Sequence, residues 1–129
     1  MARILVIDDD QEVLSVIRRI VEDAGHTVST ALDAEGGLAQ FRAEPHDLVL
    51  CDVFMPGKSG IATLKELRLL SPGVRVIVMS GGTPSHIETE TPAVDLRDLA
   101  RLLGATDTIA KPFRIADLVA MIDRHVRVR

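Results

Sequence analysis

Aromatic side chains are almost missing from this chain, which has three phenylalanines and neither tryptophan nor tyrosine. No intrinsic tryptophan signal can therefore report on events at any site. Cysteine is equally scarce. The single Cys51 excludes an internal disulfide, and a reduced, cytoplasmic setting is the default expectation. Long hydrophobic runs are also lacking. The apolar stretch after Met-Ala-Arg, Ile4 to Ile7, is far too short for a signal-peptide core or a membrane span, and no other stretch approaches spanning length. Nor is there a basic excess. The formal net charge is −4, which argues against nucleic acid as a direct partner, because binding a phosphate backbone needs a basic face. The one basic cluster, Arg124, His125, Arg127 and Arg129, reads as a solvated helix end. His26, His46, His86 and His125 have no metal-ligand spacing and read as surface residues.

What the chain does have is a hydrophobic content of 47% over 129 residues. That is enough to build the core of one domain, 1–129, and leaves no room for a separate output domain. Short branched runs alternate with amphipathic stretches. Arg3–Ile7 reads as a buried parallel strand. Gln11–Ala24 follows, with Leu14, Ile17, Val21 and Ala24 on one helix face, Asp10 as N-cap and Gly25 as stop. Strands are expected at Thr27–Ala31, Leu48–Cys51, Val74–Met79 and Thr108–Ala110. Helices are expected at Ala34–Ala43, Ile61–Leu70, Ala93–Leu103 and Ile115–Val126, with a turn at Ser71-Pro72-Gly73 and a long exposed loop at Gly81–Pro92. Strands that alternate with helices imply crossovers and an α/β fold, a five-stranded parallel sheet doubly wound with helices on both faces.

In such a sheet, sites form at the carboxyl ends of the strands. Here those ends carry Asp8-Asp9-Asp10, then Asp52, then Ser80, then Lys111. Crowded carboxylates repel one another unless a cation compensates, and a hard divalent ion such as magnesium suits one or two carboxylates, waters and phosphate oxygens. A lysine on a flexible stem can meet the charge of a transferring phosphoryl group, and a serine hydroxyl can donate to its oxygens. Carboxylate nucleophile, metal, cation and hydroxyl together point to phosphoryl transfer. Asp10, by contrast, reads as a helix cap. Cys51, beside Asp52 on a buried strand, reads as a packing residue. Gly81-Gly82 is not a phosphate loop, since no Gly-Lys-Ser/Thr follows.

The order Ile-Leu-Val-Ile-Asp8-Asp9-Asp10, Asp52-Val-Phe-Met-Pro56-Gly57-Lys-Ser-Gly60, Val-Met-Ser80-Gly81 and Ala-Lys111-Pro112-Phe113 resembles the receiver domains of bacterial two-component response regulators, over essentially the whole chain. The resemblance implies a flavodoxin-like strand order 2-1-3-4-5 and a switch domain rather than an enzyme. It implies that Asp52 accepts a phosphoryl group from a sensor histidine kinase or phosphotransfer protein in a magnesium-dependent reaction. Asp8, Asp9, Asp52 and the backbone carbonyl of Phe54 would then be metal ligands, and Ser80 and Lys111 would serve the phosphoryl group. The Lys111–Pro112 peptide is expected to be cis, and a homodimer through the last two helix–strand units is left open. Two features depart from the pattern. Thr108 stands three residues before the lysine, where many receivers carry an aromatic switch residue, and the segment from Ser80 to Lys111 is longer than usual. A receiver fold used as a docking module without phosphorylation therefore stays open. An aspartyl-phosphate phosphatase is the other alternative, although it would need an acid at position 54, and Phe54 cannot transfer a proton.

Overall fold

The computed structural model describes residues 2–53, 60–80 and 104–126. Strand β1 (Arg3–Ile7) leads into α1 (Gln11–Asp23), β2 (Thr27–Ala31), α2 (Ala34–Ala43), β3 (Leu48–Asp52), α3 (Gly60–Leu70), β4 (Arg75–Ser80), β5 (Asp107–Ala110) and α4 (Ile115–Val126). Every strand pair is parallel, and the sheet order is β2-β1-β3-β4-β5. The expected element boundaries shift by one residue at several ends, because caps and turns rather than hydrophobicity set them. Asp10 caps α1 by accepting from the N–H groups of Glu12 and Val13. Gly25, at φ +92°, turns the chain away from that helix in a conformation a side chain would oppose. The Val74 N–H closes the Ser71-Pro72-Gly73 turn onto the Ser71 carbonyl, so β4 begins at Arg75. The expected loop Gly81–Pro92 and helix Ala93–Leu103 lie outside the described residues.

Alternation along each strand sends side chains to two separate cores. Leu5, Ile7, Val49, Cys51, Val76 and Val78 pack with Leu38 of α2 and with Leu64 and Leu67 of α3. Ile4, Val6, Leu48, Leu50, Ile77 and Met79 pack on the other face, against Leu14 and Ile17 of α1 and Leu118 and Ile122 of α4. β1, β3 and β4 are inner strands covered on both faces, which is why they read as continuous apolar runs. Three of those runs end in a polar residue at the same edge, and that edge carries the site.

Candidate functional site

Parallel pairing decides which strand ends become neighbours. Ile7 lies opposite Cys51, so Asp8 emerges beside Asp52. Asp52 lies opposite Met79, which puts Ser80 one residue further along the adjacent strand. Ser80 in turn lies opposite Ala110, and its carbonyl accepts from the Lys111 N–H at 2.8 Å. The Lys111–Pro112 peptide is cis, as expected. Carboxylate oxygens of Asp8, Asp9 and Asp52 come within 4.8 Å of one another, with Asp8 and Asp52 buried and Asp9 exposed. Phe54, the remaining expected ligand, lies outside the described residues.

Lys111 joins the group from the end of β5, the outer strand two places from β3. Its Nζ donates to Asp8 Oδ2 at 2.6 Å and to Asp52 Oδ2 at 3.4 Å. Burial disfavours the ammonium. The hydrogen bond to Asp8 and the charges of Asp52 and Asp8 outweigh burial, and together they hold the lysine above its ordinary value. It therefore stays a cation at any physiological pH. The other oxygen of Asp8, Oδ1, accepts from the Asp10 N–H at 2.9 Å, which ties the loop carrying Asp9 to the buried carboxylate. The result is an acidic corner, exposed at Asp9, with the Lys111 ammonium held against its two buried members. A divalent cation fits that donor set, since three hard oxygen donors converge and one of them faces solvent.

Several neighbouring residues have assignable roles. Cys51 is fully buried, and burial, followed by the charges of Asp52 and Asp8, raises its thiol far above the ordinary value. It packs, as expected, and is not a reactive thiolate. The surface reading of the histidines is corrected for His26, His46 and His125, while His86 lies outside the described residues. The His26 side chain is only 9% exposed and accepts the Ala2 N–H at Nδ1. His46 stacks on Phe41, and its burial, followed by the Arg3 charge, lowers its basicity. His125 Nε2 meets Asp107 Oδ2 at 2.9 Å. The reading of the tail as a solvated helix end is corrected in part. Arg124 pairs with Asp107 while its side chain stays largely exposed, and Arg75 donates to the His125 carbonyl, so α4 is tied down as far as Val126; Arg127 and Arg129 lie outside the described residues. These ties join residues distant in sequence, and spacing alone carries no sign of them.

The response regulator receiver domain family matches residues 4–123. The chain belongs to that family. This receiver domain is 35% identical over 121 residues to the transcriptional regulatory protein ZraR of Escherichia coli strain K12, covering 94% of this chain and 25% of that protein. It is 38% identical over 127 residues to the transcriptional regulatory protein CpxR of Klebsiella pneumoniae, covering 98% of this chain and 50% of that protein. A response regulator receiver domain protein from Clostridium thermocellum matches its fold with a TM-score of 0.85 at 32% identity, over 98% of this chain and 95% of that one. The receiver domain of NtrX from Brucella abortus does so with a TM-score of 0.83 at 31% identity, over 98% and 99%. The chain thus spans between a quarter and a half of the curated relatives named here. Two-component signalling is accordingly the setting of this domain. Among the described residues, no helix is long and apolar enough to cross a membrane.

Proposed function

We propose that this receiver domain takes a phosphoryl group onto Asp52 from a phosphohistidine of a sensor histidine kinase or phosphotransfer protein, with a magnesium ion held by Asp8, Asp9, Asp52 and the Phe54 carbonyl. The observation that carries the proposal is the convergence of three carboxylates within 4.8 Å, with Lys111 bonded to two of them. An Asp52 carboxylate oxygen attacks phosphorus, an O–P bond forms and the P–N bond to the donor imidazole breaks. The bonding pair stays on the imidazole nitrogen, which recovers a proton from solvent. Bound magnesium supplies positive charge to the phosphoryl oxygens. Lys111 offers a second cation that is already in place, and the Ser80 hydroxyl, on the adjacent strand end, offers a donor to a phosphoryl oxygen.

Other features agree with a protein donor. An apolar groove of about 430 Å³, lined by Val13, Val16, Ile17 and Phe113, opens beside Lys111. A groove of that chemistry, bordered by the lysine that meets Asp52, suits a partner helix better than a small polar substrate. The relatives named as transcriptional regulators are two to four times longer than this chain. The net charge of −4 supports placing DNA contact elsewhere than on these 129 residues. The test is labelling by a small phosphodonor such as acetyl phosphate. Label is expected with magnesium and not with EDTA, lost in Asp52→Asn and kept in Asp10→Asn. Label that survives Asp52→Asn would sink the assignment.

A further inference from the structure

Gly60, the first residue of α3, is buried against the backbone of the strand that ends in Asp52. Its N–H donates to the Val53 carbonyl at 3.1 Å. A methyl group at its Cα would sit 2.5 Å from Val53 Cα and 2.9 Å from the Asp52 carbonyl carbon, and closer still to the Asp52 carbonyl oxygen. These are backbone atoms, which cannot swing aside as the tip of a side chain can. The other side of that peptide is also occupied, since the Cys51 thiol points at the Asp52 carbonyl at 3.6 Å. Neither neighbour can retreat cheaply. The Val53 N–H is bonded to the Met79 carbonyl at 2.9 Å, and Cys51 is registered against both β1 and β4. One turn into α3, Thr63 and Leu64 are fully buried, so the helix cannot lift away.

From this geometry we infer that Gly60 is a positioning residue for the site. Its missing side chain lets α3 rest directly on the Asp52 peptide and so fixes where the Asp52 carboxylate stands relative to Asp8, Asp9 and Lys111. The inference rests on the reading of Asp52 as phosphoryl acceptor and adds the element that aims it. Metal–ligand distances in a well-formed site lie within about 0.2 Å of their usual values, and a displacement of about 1 Å at a reacting group can cost on the order of a hundredfold in rate.

The experiment compares Gly60→Ala with Leu67→Ala, a cavity variant of a fully buried residue about two turns along the same helix. Three quantities are measured on each full chain: the melting temperature, the magnesium dissociation constant by calorimetry, and the rate of magnesium-dependent labelling by acetyl phosphate. Both variants are expected to melt earlier. Only Gly60→Ala is expected to bind magnesium several-fold more weakly and to label about tenfold or more slowly. Wild-type affinity and rate in Gly60→Ala would overturn the inference, as would equal losses in Leu67→Ala. If Gly60→Ala is unfolded at 25 °C, the comparison is run cold in sucrose, which favours the compact state. Failure to fold even there also overturns it, because the glycine would then serve the fold and not the site. Absence of label on the wild-type chain would instead defeat the acceptor assignment, and the magnesium comparison would still decide the role of Gly60.

Discussion

At the scale of single residues, Asp8 has both carboxylate oxygens engaged by the protein, Oδ1 by the Asp10 N–H and Oδ2 by Lys111. It acts as an anchor for the corner, while Asp9 faces outward. Lys111 sets a counter-charge against two buried acids, and among the described residues its removal leaves Asp8 with the Asp10 N–H as its partner. Lys111→Met is therefore expected to lower stability in EDTA by about 1–3 kcal/mol, the usual cost of losing a charged hydrogen-bond partner at a buried group. Urea denaturation measures this directly, and added magnesium should restore part of the loss by replacing the positive charge. Asp10 sits one position beyond the proposed ligand pair yet does different work. Asp10→Ala should cost about 1 kcal/mol through loss of the α1 cap and leave acetyl-phosphate labelling intact. The residue types at these positions were all legible in the sequence. The division of labour among three consecutive aspartates was legible from local pattern only for Asp10, because a cap is a local contact, whereas Lys111 meets Asp8 from 103 residues away.

At the scale of elements, α4 is held to the sheet twice. Leu118 and Ile122 sit in the core, and at its C-terminal end His125 and Arg124 meet Asp107 at the start of β5. Burial alone would raise Asp107, but the hydrogen bond from His125, the Thr108 N–H and the charges of His125 and Arg124 more than offset it, so its carboxyl lies below the ordinary range. A depressed folded value means that the stabilising contribution is present above the unfolded value of about 3.9 and is lost as pH falls through the lower folded one. The stability gap between the wild-type chain and Asp107→Asn should thus close on acidification through that window; a gap that widens with acid would contradict the tie. In the core itself, Leu118→Ala is expected to cost about 2–5 kcal/mol, since the side chain is fully buried and leaves a cavity. The helix assignments followed from amphipathic spacing and the strand assignments from short branched apolar runs. The Asp107–His125 tie followed from neither: a solvated helix end fits Arg124, whose side chain stays 63% exposed, but not His125, because its partner lies on another element 18 residues away.

At the scale of the whole molecule, folding and the proposed magnesium site are linked, because the carboxylates converge only when β1 and β3 pair. Magnesium at a hundred times its dissociation constant should raise the stability by about 2.7 kcal/mol, read as a shift of the urea midpoint. The shift should shrink sharply in Asp9→Asn and Asp52→Asn, and an unchanged shift in both would place the ion elsewhere. By itself the sequence determined the order of the described strands and helices, the two-sided burial of the inner strands, and the polar residue at the end of every strand but the second, since all of these are written in local periodicity and composition. Its likeness to receiver domains supplied the expected strand order. The tertiary structure decided which ends meet. Lys111 reaches Asp8 across 103 residues and Asp52 across 59, contacts that exist because strand pairing, not proximity in the chain, sets distance in a parallel sheet. The same pairing brings the start of α3 onto the Asp52 peptide and gives Gly60 a consequence that its place in a motif does not express.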